Sequence, residues 1–368
     1  MDTPQSEPRR RPTVNDVARL AGVSIATVSK SLNERGQVRA ETRERVKRAA
    51  EQLDFMPNPL ARGLPEGKTG TVGLLTNDLE GRFSLPILMG AEDAFGADSM
   101  SVLLCDARGD SIREQHHLRT LLGRRVDGLI VVGDKTDPRP SLGQTLPVPV
   151  VYAYAPSDDP RDTSVVSDNV GAGRLAADHV LVSGRRRIGY IAGDPSYAAA
   201  RDRVEGATAR LREAEIDLVG GEAFYGSWTE EWGRGMARVL LEREPGLDAV
   251  LCGSDQIARG VIDALRELGR DIPSDIAVMG HDNWEPLATQ SRPPLSTIDM
   301  NLETLGRTAA QRLFQAMEGV TDPSITSLPC RVVSRGSTTC PRSRRSRRQA
   351  WGSGGSSRDK SGLPTRPT

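Results

Sequence analysis

Between Thr13 and Asn33 the sequence TVNDVARLAGVSIATVSKSLN sets hydroxyls, small side chains and one lysine at helical spacing. Ser24 can cap a helix running through SIATVSKSLN, and on that helix Ile25, Ala26, Ser29, Lys30 and Asn33 share the outer side. Those residue types suit the edge of a DNA major groove. Hydroxyls such as Thr27 and Ser29 reach phosphate oxygens, and Lys30 is the one long donor able to reach guanine O6 and N7. Ile25 and Ala26 carry no hydrogen-bonding group and can only touch thymine methyls. The plain alternative is a small helical bundle with a solvated polar face.

A reading helix needs a second helix packed closely behind it. Thr13 is a candidate N-cap for one, with Val14, Val17, Ala18 and Ala21 on a single apolar face and Gly22 at its end. In the reading helix Ala26 or Thr27, with Val28 and Leu32, face inward. A third helix is expected from Ala40 to Leu53, with Val46, Ala49, Ala50 and Leu53 inside. Together residues 13–56 form the expected DNA-binding domain. Residues 57–68, rich in proline and glycine, read as a linker with a turn or two of helix.

From Thr71 the texture changes. Apolar runs such as TVGLLT, SVLLCD, GLIVVGD, VPVVYAY, RRIGYIAGD, AVLCGS and IAVMGHD alternate with amphipathic helical stretches. That is the pattern of parallel βαβ units. About a dozen strands exceed one modest sheet, so the expected class is α/β with two doubly wound lobes over residues 69–340. Residues 1–12 and 341–368 are polar or Arg-rich and are expected to be disordered.

Charge supports one basic module on an acidic body. The 368 residues sum to zero, but 1–68 carry +4, 341–368 carry +7 and 69–340 carry −11. Cys105, Cys252, Cys330 and Cys340 form no CxxC pair and read as reduced thiols of a cytoplasmic protein. MDTPQSEPRRRP lacks the apolar run of a signal peptide, and no stretch is long enough to span a membrane. His116-His117 face different sides of a helix, so no metal is expected. Gly171-x-Gly173 lacks the third glycine of a dinucleotide fingerprint, and neither GxSxG nor a P-loop occurs, so no cofactor and no enzyme activity are expected. His281 beside Asp282 has no evident nucleophile, and Arg185–Arg187 reads as a strand edge.

The string TVNDVARLAGVSIATVSKSLN, followed by VRAETRERVKRAAEQLDFMPNPLARGL, closely resembles the N-terminal module of the lactose-repressor (LacI/GalR) family. The resemblance runs on through VGLLTND, VDGLIVVG, SDNVGAG, RDRVEGA, GSDQIARGVIDALRELG and IPSDIAVMGHDN to about residue 340. It implies a dimeric or tetrameric regulator, here expected as a homodimer. Its core would fold like a periplasmic sugar-binding protein, and an effector in the cleft between the lobes would change affinity for operator DNA. The resemblance also implies a hinge helix that forms on the operator over Asn58–Leu64. Leu64 would wedge into the minor groove, with Asn58, Ala61 and Arg62 beside it. Asn58 suits an N-cap and Pro59 a first helical position, whereas Gly63 costs about 1 kcal/mol against alanine.

The resemblance further implies effector contacts at Arg203, Asp282, Trp228 and Asp168, with Phe83 and Asp255 as weaker candidates. Each has a plainer reading. Arg203 could form a surface ion pair, Trp228 could pack at a helix start, Asp168 could cap the helix after it, and Asp282 could cap the turn at Asn283-Trp284. Arginine, aspartate and tryptophan together favour a sugar over a purine. The expected function is therefore a sugar-responsive repressor. The competing classes are a periplasmic-type binding protein without DNA function and an enzyme fused to a DNA-binding module.

Overall fold

The computed structural model describes residues 12–32, 37–55, 68–78, 82–96 and 100–339. Asn33 and the hinge candidates Asn58, Ala61, Arg62 and Leu64 lie outside the described residues, as do Cys340 and residues 341–368.

Three helices come first: α1 (Val14–Ala21), α2 (Ile25–Leu32) and α3 (Ala40–Gln52). Thr13 starts α1, and its backbone N–H and hydroxyl both donate to the Asp16 carboxylate, at 2.9 and 2.6 Å. That supplies an acceptor at the helix start and places a negative charge at the positive end of the helix. Gly22 ends α1 in the left-handed region at φ 64°, and the Val23 N–H closes onto the Ala18 carbonyl at 3.1 Å. α2 then begins on Ser24, whose hydroxyl accepts from the Thr27 N–H at 3.1 Å. Val17, Val28 and Val46, one from each helix, are fully buried at the centre, ringed by Ala18, Ala21, Ala49 and Ala50. The small alanines let the helices meet closely. The inward side of α2 differs from its sequence reading: Ala26 is exposed, Thr27 and Leu32 are half-buried, and Ser31 is fully buried.

The chain divides into two compact units, Met1–Val166 with Leu302–Ser327, and Ser167–Asn301 with Leu328–Thr368. The first holds a six-stranded sheet built from β1 (Thr71–Thr76), β2 (Ser101–Asp106), β3 (Gly128–Val132), β4 (Val150–Ala153), β5 (Thr163–Ser167) and β10 (Ile325–Leu328), in the order β10-β5-β4-β3-β1-β2. Its helices are α4 (Ser84–Gly96), α5 (Ser111–Gly123) and α11 (Leu302–Met317). The second holds β6 (Ile188–Ile191), β7 (Ala249–Cys252), β8 (Ala277–Asp282), β9 (Ser296–Asp299) and β11 (Arg331–Val333), in the order β11-β9-β8-β7-β6. Its helices are α6 (Asn169–Val182), α7 (Ala198–Glu213), α8 (Glu230–Arg243), α9 (Asp255–Glu267) and the short α10 (Glu285–Ala288).

Strands β1 to β5 pair in parallel, as do β6 to β9, while β11 joins β9 antiparallel. The central strands read as unbroken apolar runs because helices cover both faces: Leu129, Ile130, Val131 and Val132 of β3 are all fully buried. Edge strand β2 is only partly covered, and its Leu104 is 43% exposed.

Three helix pairs approach so closely that glycine is required on both sides. Gly90 of α4 and Gly306 of α11, Gly173 of α6 and Gly206 of α7, and Gly233 of α8 and Gly260 of α9 each face a carbonyl of the partner helix. A Cβ at any of them would fall 1.9–2.1 Å from that oxygen. No helix among the described residues is long and apolar enough to cross a membrane.

Candidate DNA-reading face and effector cluster

On α2, Ile25, Ala26, Ser29 and Lys30 all stand exposed, and Ile25 is 50% exposed. A single exposed isoleucine is ordinary. Here it shares one helical face with the lysine and serine that sequence reasoning assigned to base and phosphate contacts. Ser24 and Thr27 are engaged in starting the helix, with their hydroxyl oxygens 2.9 Å apart. Thr13 likewise serves the start of α1. A phosphate would have to share these hydroxyls with the caps.

The second cluster forms around Arg203, which α7 carries into the interior of the second unit. Its relative exposure is 2%, so the surface ion pair considered from sequence does not describe it. Nε donates to Asn169 Oδ1 at 2.8 Å, Nη1 to the Gly253 carbonyl at 2.8 Å and Nη2 to the Met300 sulfur at 3.5 Å. Asp282 Oδ1 stands 3.6 Å from Nη1, both side chains almost wholly buried. Gly253 follows β7, Asp282 ends β8 and Met300 follows β9, so one guanidinium gathers the carboxyl ends of three parallel strands. In open α/β sheets ligands bind at that edge. Burying two charges costs several kcal/mol per ion unless each is well partnered, which is why the guanidinium has so many acceptors around it. Its position also depends on Gly173: the Arg203 carbonyl oxygen lies 2.0 Å from where a Cβ at Gly173 would stand.

The other sequence candidates divide. Asp168 caps α6, its Oδ1 accepting from the Gly171 N–H at 2.7 Å. The polar side chain that meets Arg203 is its neighbour Asn169, which sequence reasoning passed over. The available signal was phase: once Asp168 is committed as N-cap, the next residue turns inward. Trp228 lies flat on Gly193, where a Cβ would fall 2.3 Å from ring carbons, and Tyr197 meets it edge-on at 5.7 Å. It also packs against the apolar core, and its indole N–H is buried without an acceptor among the described residues. Asp255 is fully buried, with Oδ2 accepting from the Trp284 N–H at 2.7 Å and Oδ1 from the Thr297 hydroxyl at 2.6 Å. It therefore stands behind the cluster, not at its surface.

In the first unit, Phe83 stacks on Tyr154 with ring centroids 4.8 Å apart, and the Arg82 guanidinium lies 5.2 Å from the Phe83 ring. The Asp78 carboxylate accepts from the Phe83 and Ser84 N–H groups and fixes this start of α4. Tyr154 sits at φ 71° in a three-residue turn closed by the Ala155 N–H on the Ala153 carbonyl at 2.9 Å. That turn is strained, and nothing in VPVVYAY announced it. Buried thiols flank the second-unit cluster. Burial is the main cause that pushes Cys330 up to about 12, Arg203 opposing and Asp168, Asp299 and Asp282 adding to it. Burial also raises the Cys252 thiol well above its ordinary value, so both are held protonated and unreactive.

Residues 13–58 match the family model for bacterial regulatory proteins of the lacI family, and residues 177–338 match a periplasmic binding protein-like domain. The HTH-type transcriptional regulator CelR of Thermobifida fusca is 34% identical over 323 residues, covering 86% of this chain and 94% of CelR. The structure of the CelR–cellobiose complex is similar at a TM-score of 0.60 and 31% identity, covering 89% of this chain and all of that one. The lac repressor dimer bound to operator and the anti-inducer ONPF is similar at a TM-score of 0.75 and 28% identity, covering 90% of this chain and all of that one. The chain belongs to the lacI family of bacterial regulatory proteins, with a helix-turn-helix module at its N-terminus and a periplasmic-binding-protein-like core.

Proposed function

We propose that this protein is a cytoplasmic, homodimeric repressor that binds a pseudo-palindromic operator and responds to a neutral sugar. The DNA-reading residues are Ile25, Ala26, Ser29, Lys30 and Asn33, with Thr13, Ser24 and Thr27 at phosphates. Asn58, Ala61, Arg62 and Leu64 act in the hinge. One recognition helix covers only a few base pairs, so two act across a repeat. CelR, whose structure holds cellobiose, supports a sugar as the effector class.

The observation that carries the effector reading is the Arg203–Asp282 pair. At 3.6 Å it is a buried cation and anion held side by side, too far apart for a direct hydrogen bond. A sugar hydroxyl donates and accepts at once, so it can give its proton to Asp282 while accepting from Arg203. The pair is balanced in charge, so an anionic ligand gains no net cation there. Trp228, which lies on Gly193 in the same unit, offers an aromatic surface, and Phe83, stacked on Tyr154, remains a candidate ring of its own unit.

The test selects operator DNA from a random library with the purified protein. It then repeats the gel shift with cellobiose, D-ribose, other neutral sugars and nucleobases. The expected result is one palindromic consensus whose retention changes with a neutral sugar. Calorimetry that finds binding of nucleobases alone reverses the effector class, and failure to retain any DNA overturns the regulator reading. Leu64→Ala is expected to weaken operator retention and reduce DNA bending without changing the consensus.

A further inference from the structure

The chain ends β8 in an unusual conformation. Asp282 has φ 107° and Asn283 φ 54°, both in the region that favours glycine. Such residues cost about 1–3 kcal/mol each and persist only where surrounding structure over-determines them. What determines them here is traceable. The Trp284 N–H donates to Asp255 Oδ2 at 2.7 Å. The Asn283 N–H donates to Thr297 Oγ1 at 3.2 Å, and that hydroxyl donates to Asp255 Oδ1 at 2.6 Å. Two successive backbone N–H groups thus converge on one fully buried carboxylate, one directly and one through a threonine. Gly280 makes room for it: a Cβ there would fall 2.3 Å from Asp255 Oδ1. The opposite side of the turn is tied by the Arg335 guanidinium, which donates to Asn283 Oδ1 at 2.8 Å.

We propose that Asp255 is the positioning residue of the effector cluster: it clamps the left-handed Asp282–Asn283 turn and so presents the Asp282 carboxylate to Arg203 without touching the effector itself. The proposal rests on the reading of Arg203 and Asp282 as effector contacts. The carboxylate is suited to the task because it accepts at both oxygens. An amide at this site offers one oxygen and turns an NH2 toward a backbone N–H or an already engaged hydroxyl. The strain and the clamp oppose each other, so relieving the strain should reduce the need for the clamp.

The test labels the full chain with 5-fluorotryptophan and follows Trp284 by fluorine NMR, assigned with Trp284→Phe. In the parent, Trp284 gives one sharp line. In Asp255→Asn that line is expected to shift and broaden. In Thr297→Val, which keeps the carboxylate and removes only the link to Asn283, the effect is expected to be smaller, and this variant serves if Asp255→Asn does not fold. Asn283→Gly removes the left-handed penalty at that residue together with the Arg335 tie, so the double variant with Asp255→Asn is compared with Asn283→Gly alone and is expected to give the same line. A purely packing role for Asp255 would not be rescued in this way. A neutral sugar that binds the parent should bind Asp255→Asn about tenfold more weakly, the equivalent of one lost charge-assisted hydrogen bond. An unchanged Trp284 line in both clamp variants, or a line in the double variant broader than that of Asn283→Gly alone, overturns the proposal. If no neutral sugar binds the parent, the effector reading fails, and the fluorine spectra still decide whether Asp255 holds the turn.

Discussion

The recognition helix and the Arg203 cluster solve opposite problems. α2 leaves Ile25, Ala26, Ser29 and Lys30 in water, where none of them is needed to hold the three helices together. The Arg203 cluster hides its charges at the ends of three strands, where each is part of the fold as well as of the proposed site. An exposed reading face can therefore change its specificity with little effect on stability, whereas the buried cluster cannot change without disturbing the second unit. The difference also shows in backbone demand. α2 is an ordinary capped helix, but the Arg203 cluster depends on left-handed residues at Asp282 and Asn283 and on a glycine contact at Gly173.

The largest expected effect breaks the buried side. Arg203→Ala leaves Asp282 desolvated without its cation and should destabilise the chain by about 3–5 kcal/mol, read by urea unfolding. A loss below about 1 kcal/mol would mean that the pair is hydrated and that the cluster is no more tied to the fold than α2's outer face. Gly173→Ala should follow, at about 1–3 kcal/mol, because the new methyl meets the Arg203 carbonyl and pushes α7 away from α6. Its thermal midpoint, compared with that of a surface control, checks this.

On the exposed side, Lys30→Ala should leave unfolding unchanged within about 0.5 kcal/mol. It should cost about 1–3 kcal/mol of operator affinity and relax base choice at one symmetric position, measured by selection from a random library. Equal retention of all sequences by parent and variant would remove Lys30 from the reading face. The smallest effect has the opposite sign. Ser31 is fully buried, and its hydroxyl finds no hydrogen-bond partner among the described residues. Ser31→Ala should stabilise the three-helix module by about 1 kcal/mol and leave operator choice intact.

Much of the architecture was legible because its elements are locally driven. The caps at Thr13 and Ser24, the turn at Gly22 and the apolar periodicity of α1 and α3 are written in neighbouring residues. Strands β1, β2, β3, β4, β6, β7 and β8 read directly as apolar runs. β5, β9, β10 and β11 did not stand out, because they are short and two of them lie at sheet edges with alternating or partial exposure. The inward turn of Ser31 was missed because serine does not mark an apolar face.

The sequence by itself determined the order of elements, the helix starts and the exposed side of α2, since each depends on side chains only a few residues apart. Tertiary structure alone decided which polar groups meet. Asn169, Arg203, Gly253, Asp282 and Met300 come from five separate stretches, and only the parallel pairing of β7, β8 and β9 brings their ends together. It also decided that Asp255 would stand buried behind the turn. A carboxylate's role depends on where its two oxygens find donors, and Trp284 and Thr297 lie 29 and 42 residues from Asp255.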